Sequence, residues 1–256
     1  MLQAVQWLIR EGMVLKYKLI CCEVFVREAC LAVAQTPHTV DPEFTPKGAH
    51  DKPDFLRELI QKKIDAAEEQ GGYDAILLGY GLCGNSTVGL KARSIPLVIP
   101  RAHDCCTLFL GSRERFLACF KDKLSEEWSS TGYMERGDSY LRETDTGKLL
   151  GMDKSYEEFV ALYGEENAKY IWETLHPKSS SSELIFIDVP ETSHLGYLEK
   201  LQALAKEEGK TVRVLEGDMR LIRELVQGNW NEKDFLIVPP GKTIKGVYDQ
   251  DKVMTV

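Results

Sequence analysis

Residues Tyr73–Cys106 read YDAILLGYGLCGNSTVGLKARSIPLVIPRAHDCC, and the fold of the chain turns on this stretch. Two apolar runs, Ala75–Leu78 and Pro96–Ile99, each pass straight into polar and sulfur-bearing residues. Short apolar runs bounded by Gly and Pro suit buried central strands of a parallel sheet. In open α/β sheets ligands bind in the crevice beyond the strand C-termini, so Cys83, His103, Asp104 and Cys105 are expected to gather there.

On the N-terminal side, Tyr17–Phe25 (YKLICCEVF) has the pattern of a first strand, followed by a short helix to about Val33. Thr39–His50 contains Pro42, Pro46 and Gly48, which predicts an extended stretch or weak edge strand. From Asp51, read as a helix N-cap with Pro53 in the first turn, Phe55, Leu56, Leu59, Ile60, Ile64 and Ala67 recur at helical spacing until Gly71-Gly72 stops them.

On the C-terminal side, Leu108 to about Leu124 reads as a helix interrupted at Gly111. Residues 125–152 have little apolar periodicity and read as an irregular insertion. Ser155–Tyr163 and Glu165–Leu175 read as two helices parted by Gly164, and His176-Pro177 with Ser179–Ser182 as a linker. The α/β rhythm resumes with strand Glu183–Val189, helix Gly196–Glu208, strand Thr211–Leu215, helix Asp218–Val226 and strand Phe235–Val238.

The expected fold class is therefore α/β, with helices on both faces of parallel strands, as one sheet or as two Rossmann-like lobes around a central irregular and helical insertion. The expected organisation is an N-terminal extension (1–15), a first α/β half carrying the Cys and His motifs (16–124), an insertion and helical linker (125–182), a second half (183–249) and a tail (250–256).

The 256 residues, 43% of them hydrophobic, suffice for a substantial core. A formal net charge of -8 argues against a general nucleic-acid or anionic-membrane surface and favours a small-molecule ligand or a protein partner. No apolar run approaches the roughly 18 to 20 residues of a membrane helix. The opening MLQAVQWLIREG is broken by Gln3, Gln6, Arg10 and Glu11 and is expected to be neither signal peptide nor anchor. Seven cysteines without an export signal fit a reducing, cytoplasmic setting, where thiols or metal ligands outnumber disulfides. Cys30 and Cys119 fall within helical patterns and read as buried packing residues.

Cys83, His103 and Cys105 offer two thiolates and an imidazole, a donor set that suits Zn²⁺ or Fe²⁺ and leaves a position open for substrate. Cys21, Cys22 or Glu23 at the end of the first strand is placed to add a fourth ligand. Neighbouring strand residues face opposite ways, so at most one of Cys21 and Cys22 is expected to reach the site. Without a metal, Cys105 and Cys106 would begin a helix whose dipole favours thiolate, with His103 close by. The alternative is that these cysteines pack and that Asp104 caps the helix.

Gly79–Asn85 (GYGLCGN) reads as a tight strand-to-helix turn in which Gly79, Tyr80, Gly81, Gly84 and Asn85 approach a ligand closely. Its glycines match the dinucleotide-binding spacing, but the acidic residue expected downstream would be Asp104 in a different context, so a nicotinamide or flavin site is disfavoured. Arg101 is in position to pair with a substrate carboxylate. Glu216 and Asp218 after one strand, and Pro240 and Gly241 after another, are placed to form the opposite wall. Against that stands a helix N-cap at Asp218 and a stiff turn at Pro239–Gly241.

Taken together, Cys22-Glu23-Val24 with Arg27-Glu28, Gly79–Gly84 (GYGLCG), Pro100–Cys105 (PRAHDC) with Leu110-Gly111-Ser112, Gly164-Glu165-Glu166-Asn167-Ala168, Gly217-Asp218 leading to Gly228 and Trp230, and Phe235–Gly241 (FLIVPPG) carry a resemblance. The chain resembles domain-of-unknown-function family sixteen thirty-eight over roughly Tyr17 to Asp249. It departs from the family at Trp128–Gly137 (WSSTGYMERG), where a Pro-Gly-Thr-Tyr-like segment is usual.

The resemblance implies an anaerobe's protein in the company of corrinoid-dependent methyltransferases and corrinoid-activating proteins. His103-x-Cys105 with Cys83 also has the ligand types of zinc-dependent thiol methyltransferases in a different order, which is an analogy of ligands. The leading expectation is a zinc or iron protein of one-carbon or corrinoid metabolism, enzyme or accessory factor, with corrinoid methyltransferase proteins as partners. Its rivals are a carrier of a corrinoid, tetrapyrrole or small metabolite, and a metal-free thiol enzyme.

Overall fold

The computed structural model describes residues 13–120, 128–136, 155–175, 183–247 and 252–256. Residues 1–12 of the expected extension, most of the insertion over 125–152 and the linker over 176–182 lie outside them.

The fold is α/β with two main sheets. In the first, β1 (Lys16–Cys22), β2 (Thr39–Thr45), β3 (Ala75–Gly79), β4 (Leu97–Pro100) and β8 (Phe235–Val238) stand in the order β2-β1-β3-β4-β8. The first four run parallel. All residues of β3 and β4 are buried, as expected of central strands packed on both faces. β2 takes the edge, where Pro42 is tolerated because an edge strand leaves part of its backbone unpaired.

Helix α1 (Val26–Gln35) follows β1 through a 3-10 turn, Glu23–Phe25, and α2 (Pro53–Gln70) joins β2 to β3. The N-cap of α2 is Lys52 without a side-chain bond; Asp51 instead ends the 3-10 turn Lys47–Asp51, so the expected Asp51 cap is displaced by one residue. The helical run after Asp104 is two helices, α3 (Cys105–Leu110) and α4 (Arg113–Phe120). Gly111 separates them at φ 76°, a left-handed conformation that glycine adopts without penalty, and an added Cβ would crowd Asp218.

The second sheet is parallel, in the order β5-β6-β7. β5 (Trp128–Ser130) lies in the region read as an irregular insertion, because three residues are too few to show a period. α5 (Thr131–Glu135) follows, then α6 (Tyr156–Tyr163) and α7 (Glu165–Leu175), divided at Gly164 as expected. β6 (Glu183–Asp188), α8 (Tyr197–Glu207), β7 (Thr211–Glu216) and α9 (Arg220–Gln227) complete this half, and β9 (Lys245–Gly246) pairs with β10 (Met254–Thr255). β8 then returns to the first sheet, antiparallel to β4, so sheet membership crosses the boundary between the two halves. Ile185, Ile187 and Val189 join the same buried cluster as β1, β3 and β4, so the two sheets share one core.

The halves meet at α5. Gly132 lies so close to the backbone of Val24 that a Cβ would collide with its carbonyl oxygen. Arg27 Nε donates to both carboxylate oxygens of Glu135, at 2.8 and 2.9 Å. Beneath this clasp Glu28 is buried, and neither of its oxygens has a hydrogen-bond partner. Burial pushes its carboxyl up to about 7, with Glu135 and Glu191 adding to the effect.

Two outcomes follow from the clasp. Gly132→Ala should cost about 3 kcal/mol or more in urea unfolding, because the obstructing atom is backbone. A carboxyl raised from 4.5 to about 7 binds more protons folded than unfolded, so it favours the folded state least at high pH. Stability should therefore fall by about 3 kcal/mol as pH rises through that window, and Glu28→Gln should flatten the fall when melts are compared at pH 5 and 8.

Candidate functional site

Four strand ends of the first sheet open on one edge, as parallel strands must, and the site is built there. β1 ends in Cys22, β2 in Thr45, β3 runs through Gly79 to Tyr80, and β4 through Pro100 to the Asp104 turn. Tyr80 and Thr45 share a 2.6 Å hydrogen bond. Past β3, the backbone of Leu82 and Cys83 donates to the carbonyls of Ala102 and His103 at 2.9 Å, so the glycine turn and the turn after β4 run side by side. Gly81 makes this approach possible: a Cβ there would lie 2.8 Å from Ala102 O and Asp104 N.

Cys22, Cys83 and Cys105 converge: the Cys22 sulfur lies near enough to oppose ionisation of Cys83 and Cys105, and Cys83 opposes that of Cys105. His50 Nε2, in the turn beyond β2, is 3.3 Å from Cys22 Sγ. Tyr133 Oη, carried by α5 of the other sheet, is 2.7 Å from Cys105 Sγ. Cys21 takes the opposite face: its thiol points to Gly79 O at 3.5 Å and faces Glu28 and Cys30. The alternation of strand faces thus selects Cys22 for the site.

Burial governs the electrostatics. It pushes the Cys22 thiol up to about 12, and drives Cys83 and Cys105 upward as well, with neighbouring acidic groups adding to it. The helix dipole at the start of α3 does not outweigh this desolvation, so Cys105 is held as a thiol. His50 is brought down to about 4 by the same burial and is neutral at pH 7. Asp104 is raised by burial and is held by Thr107, whose N–H donates at 3.1 Å: it caps α3.

Cys83 has φ 47° and Asn85 φ 67°, left-handed values that cost a non-glycine residue about 1–2 kcal/mol. Such strain is retained where the surroundings demand a particular side-chain placement.

The other expected residues serve the scaffold. The His103 ring packs 6.2 Å from Phe116, and its carbonyl, through Cys83 N–H, is what joins the site. Arg101 donates to the carbonyls of Glu232, Phe235, Lys252 and Met254, fastening the C-terminal segment. Gly79 faces Cys21 on the neighbouring strand, and Gly84 at φ 63° has open space around it. The Glu216 carbonyl accepts from Arg115, and Asp218 accepts from Arg220 N–H from just ahead of α9, whose N-cap is Met219 and not the expected Asp218. Gly241 follows Pro240 in a turn at φ 76° whose N–H reaches Ala92 and Arg93. Cys30 is exposed on α1 and is not the buried packing residue expected, while Cys119 is half-buried and packs against the core.

The family model described as "Protein of unknown function (DUF1638)" matches residues 44–226. The chain belongs to this family. No curated protein and no solved structure matches it. The DUF1638 span contains His50, Cys83, Cys105 and Tyr133, and Cys22 precedes it.

His50 and Tyr133 are the residues that the sequence reading missed. Extending the strand-end rule to β2 leads to His50, since it follows that strand as Cys83 follows β3. No local signal marks Tyr133, which reaches the site from another sheet.

Among the described residues, no group of three or more His, Cys, Asp or Glu side chains stands at the spacing of a metal coordination sphere. No helix among the described residues is long and apolar enough to cross a membrane.

The strain at Cys83 can be read directly. Cys83→Gly should be about 1 kcal/mol more stable than Cys83→Ala in urea unfolding, since both remove the sulfur but only glycine relieves the backbone.

Proposed function

We propose that this chain binds one zinc or iron ion through Cys22, Cys83 and Cys105, with His50 as the nitrogen donor, and uses it in methyl or thiol group transfer. The observation that carries the reading is the convergence of two buried thiols, one half-buried thiol and one neutral imidazole on a single sheet edge. Burial makes each thiolate costly alone, and a divalent cation supplies the charge that stabilises it. Sulfur-rich sets with one imidazole suit zinc and iron. His50 takes the place first given to His103, because its ring faces Cys22 while the His103 ring lies by Phe116.

Burial weighs against a metal-free thiolate nucleophile, since each site thiol is held protonated at neutral pH. The corrinoid setting rests on the resemblance, and it makes methyl transfer to or from a thiol the reaction to assay first.

Elemental analysis of anaerobically purified protein should find about one zinc or iron per chain. Cys22→Ser, Cys83→Ser, Cys105→Ser and His50→Ala should each weaken metal binding about tenfold or more, while Cys30→Ser and His103→Ala leave it unchanged. Full occupancy in the four site variants would sink the proposal. Cobalt with a corrin absorption spectrum would instead establish the carrier reading.

A further inference from the structure

Glu28 lies at the seam between the two sheets with nothing to balance its charge. It is 2% exposed, and neither carboxylate oxygen has a hydrogen-bond partner. Glu135 on α5 and Glu191 in the turn after β6 both oppose its ionisation, and from β1 the Cys21 thiol faces it. The cations beside it are committed elsewhere: Arg27 of its own helix to Glu135, and Arg223 of α9, which packs on α1, to Glu191. The other charges of α9, Arg220 and Glu224, pair with each other.

The element that closes this seam is slight. Helix α5 has five residues and follows a three-residue strand. Besides the seating of Gly132 on Val24, it is held by Arg136, 3.9 Å from Glu23, and by the Arg27–Glu135 pair. The Arg27 side chain is 46% exposed, and an ion pair so open to water holds weakly. Yet α5 carries Tyr133 to within 2.7 Å of the sulfur of Cys105, a buried residue.

We propose that Glu28 is a pH-sensitive latch on this seam: neutral, it lets α5 close over the thiols; ionised, it repels Glu135 and draws in water, so that α5 lifts and Cys105 becomes accessible. The latch belongs to the packing of α1 against α5 and works with or without an ion at the thiols.

Burial, with the neighbouring carboxylates, raises the enclosed Glu28 from 4.5 to about 7, and contact with water returns it toward 4.5. Below 4.5 the carboxyl is protonated whether α5 is closed or open, and closure is unopposed. Opening gains as pH rises from 4.5 to about 7, and above that the gain is complete.

Hydrogen exchange of the full chain, followed by mass spectrometry and corrected for intrinsic exchange, measures the opening. The α5 amides should exchange well ahead of those of β3, and their opening should increase about tenfold or more from pH 5 to pH 8. In Glu28→Gln that increase should vanish. Alkylation of Cys105 by iodoacetamide, taken as the ratio of the unaltered protein to Glu28→Gln at each pH, should rise with it. The exposed Cys30 should keep a ratio near unity.

Exchange of α5 in step with β3 overturns the latch, since Glu28 would then act through global unfolding alone. An opening that stays constant with pH overturns it too, and a constant Cys105 ratio beside a lifting α5 overturns its control of the thiols. Should Glu28→Gln not fold, as judged by circular dichroism, the unaltered protein and Arg27→Ala decide. Arg27→Ala should open α5 further at both pH values and keep the increase; a flat profile in either protein sinks the proposal.

Discussion

A backbone-to-backbone contact holds the arrangement together: α5 rests at Gly132 on the carbonyl of Val24, nearer than any side chain would permit. Everything at the sheet edge depends on that distance. It brings the second sheet down over the end of β1, sets Glu135 on Arg27, and delivers Tyr133 to Cys105. Its cost is concentrated in Glu28, a carboxyl enclosed without a partner because the nearby cations serve other acids: Arg27 pairs with Glu135, and Arg223 with Glu191. A group of this kind survives where the surrounding packing stabilises by more than the enclosure costs.

The site follows from the same geometry that makes the sheet. Parallel strands end together, so residues widely separated in sequence, Cys22, His50, Cys83 and Cys105, come to one edge without any local motif to announce them. Their environment is apolar enough to keep every thiol protonated and the imidazole neutral. This poise opposes a thiolate formed by burial alone. The left-handed backbone at Cys83 is consistent with a side chain whose placement matters more than local comfort.

Much of this was legible from the chain alone. The runs Ala75–Leu78 and Pro96–Ile99 announced buried strands because nothing polar interrupts them, and the Gly71-Gly72 and Gly164 breaks marked helix ends through conformations that other residues resist. Period-2 alternation was enough to separate Cys21 from Cys22. His103 was misleading for a related reason: its position at a strand end was right, but a turn residue's ring direction follows no period, and it packs by Phe116. His50 was within reach of the strand-end rule applied to β2, whereas β5 and Tyr133 were not, because three-residue strands and contacts between distant segments leave no trace in local pattern. The direction of β8 was equally hidden, since FLIV reads the same parallel or antiparallel.

That returning strand has a consequence for how the chain comes into being. β4 has a partner on one side as soon as β3 is made, but its other edge is closed by residues 235–238, more than a hundred positions later. As the polypeptide leaves the ribosome, the first sheet must wait, with an apolar strand edge open, while the whole second sheet is synthesised. Such an edge is a template for wrong pairing with other chains. The Arg101 fork, which grips carbonyls around β8 and in the final residues, acts only once the last segment arrives. Completion of the first sheet is thus a late event, and loss of the C-terminal segment would expose its most apolar interior edge to aggregation.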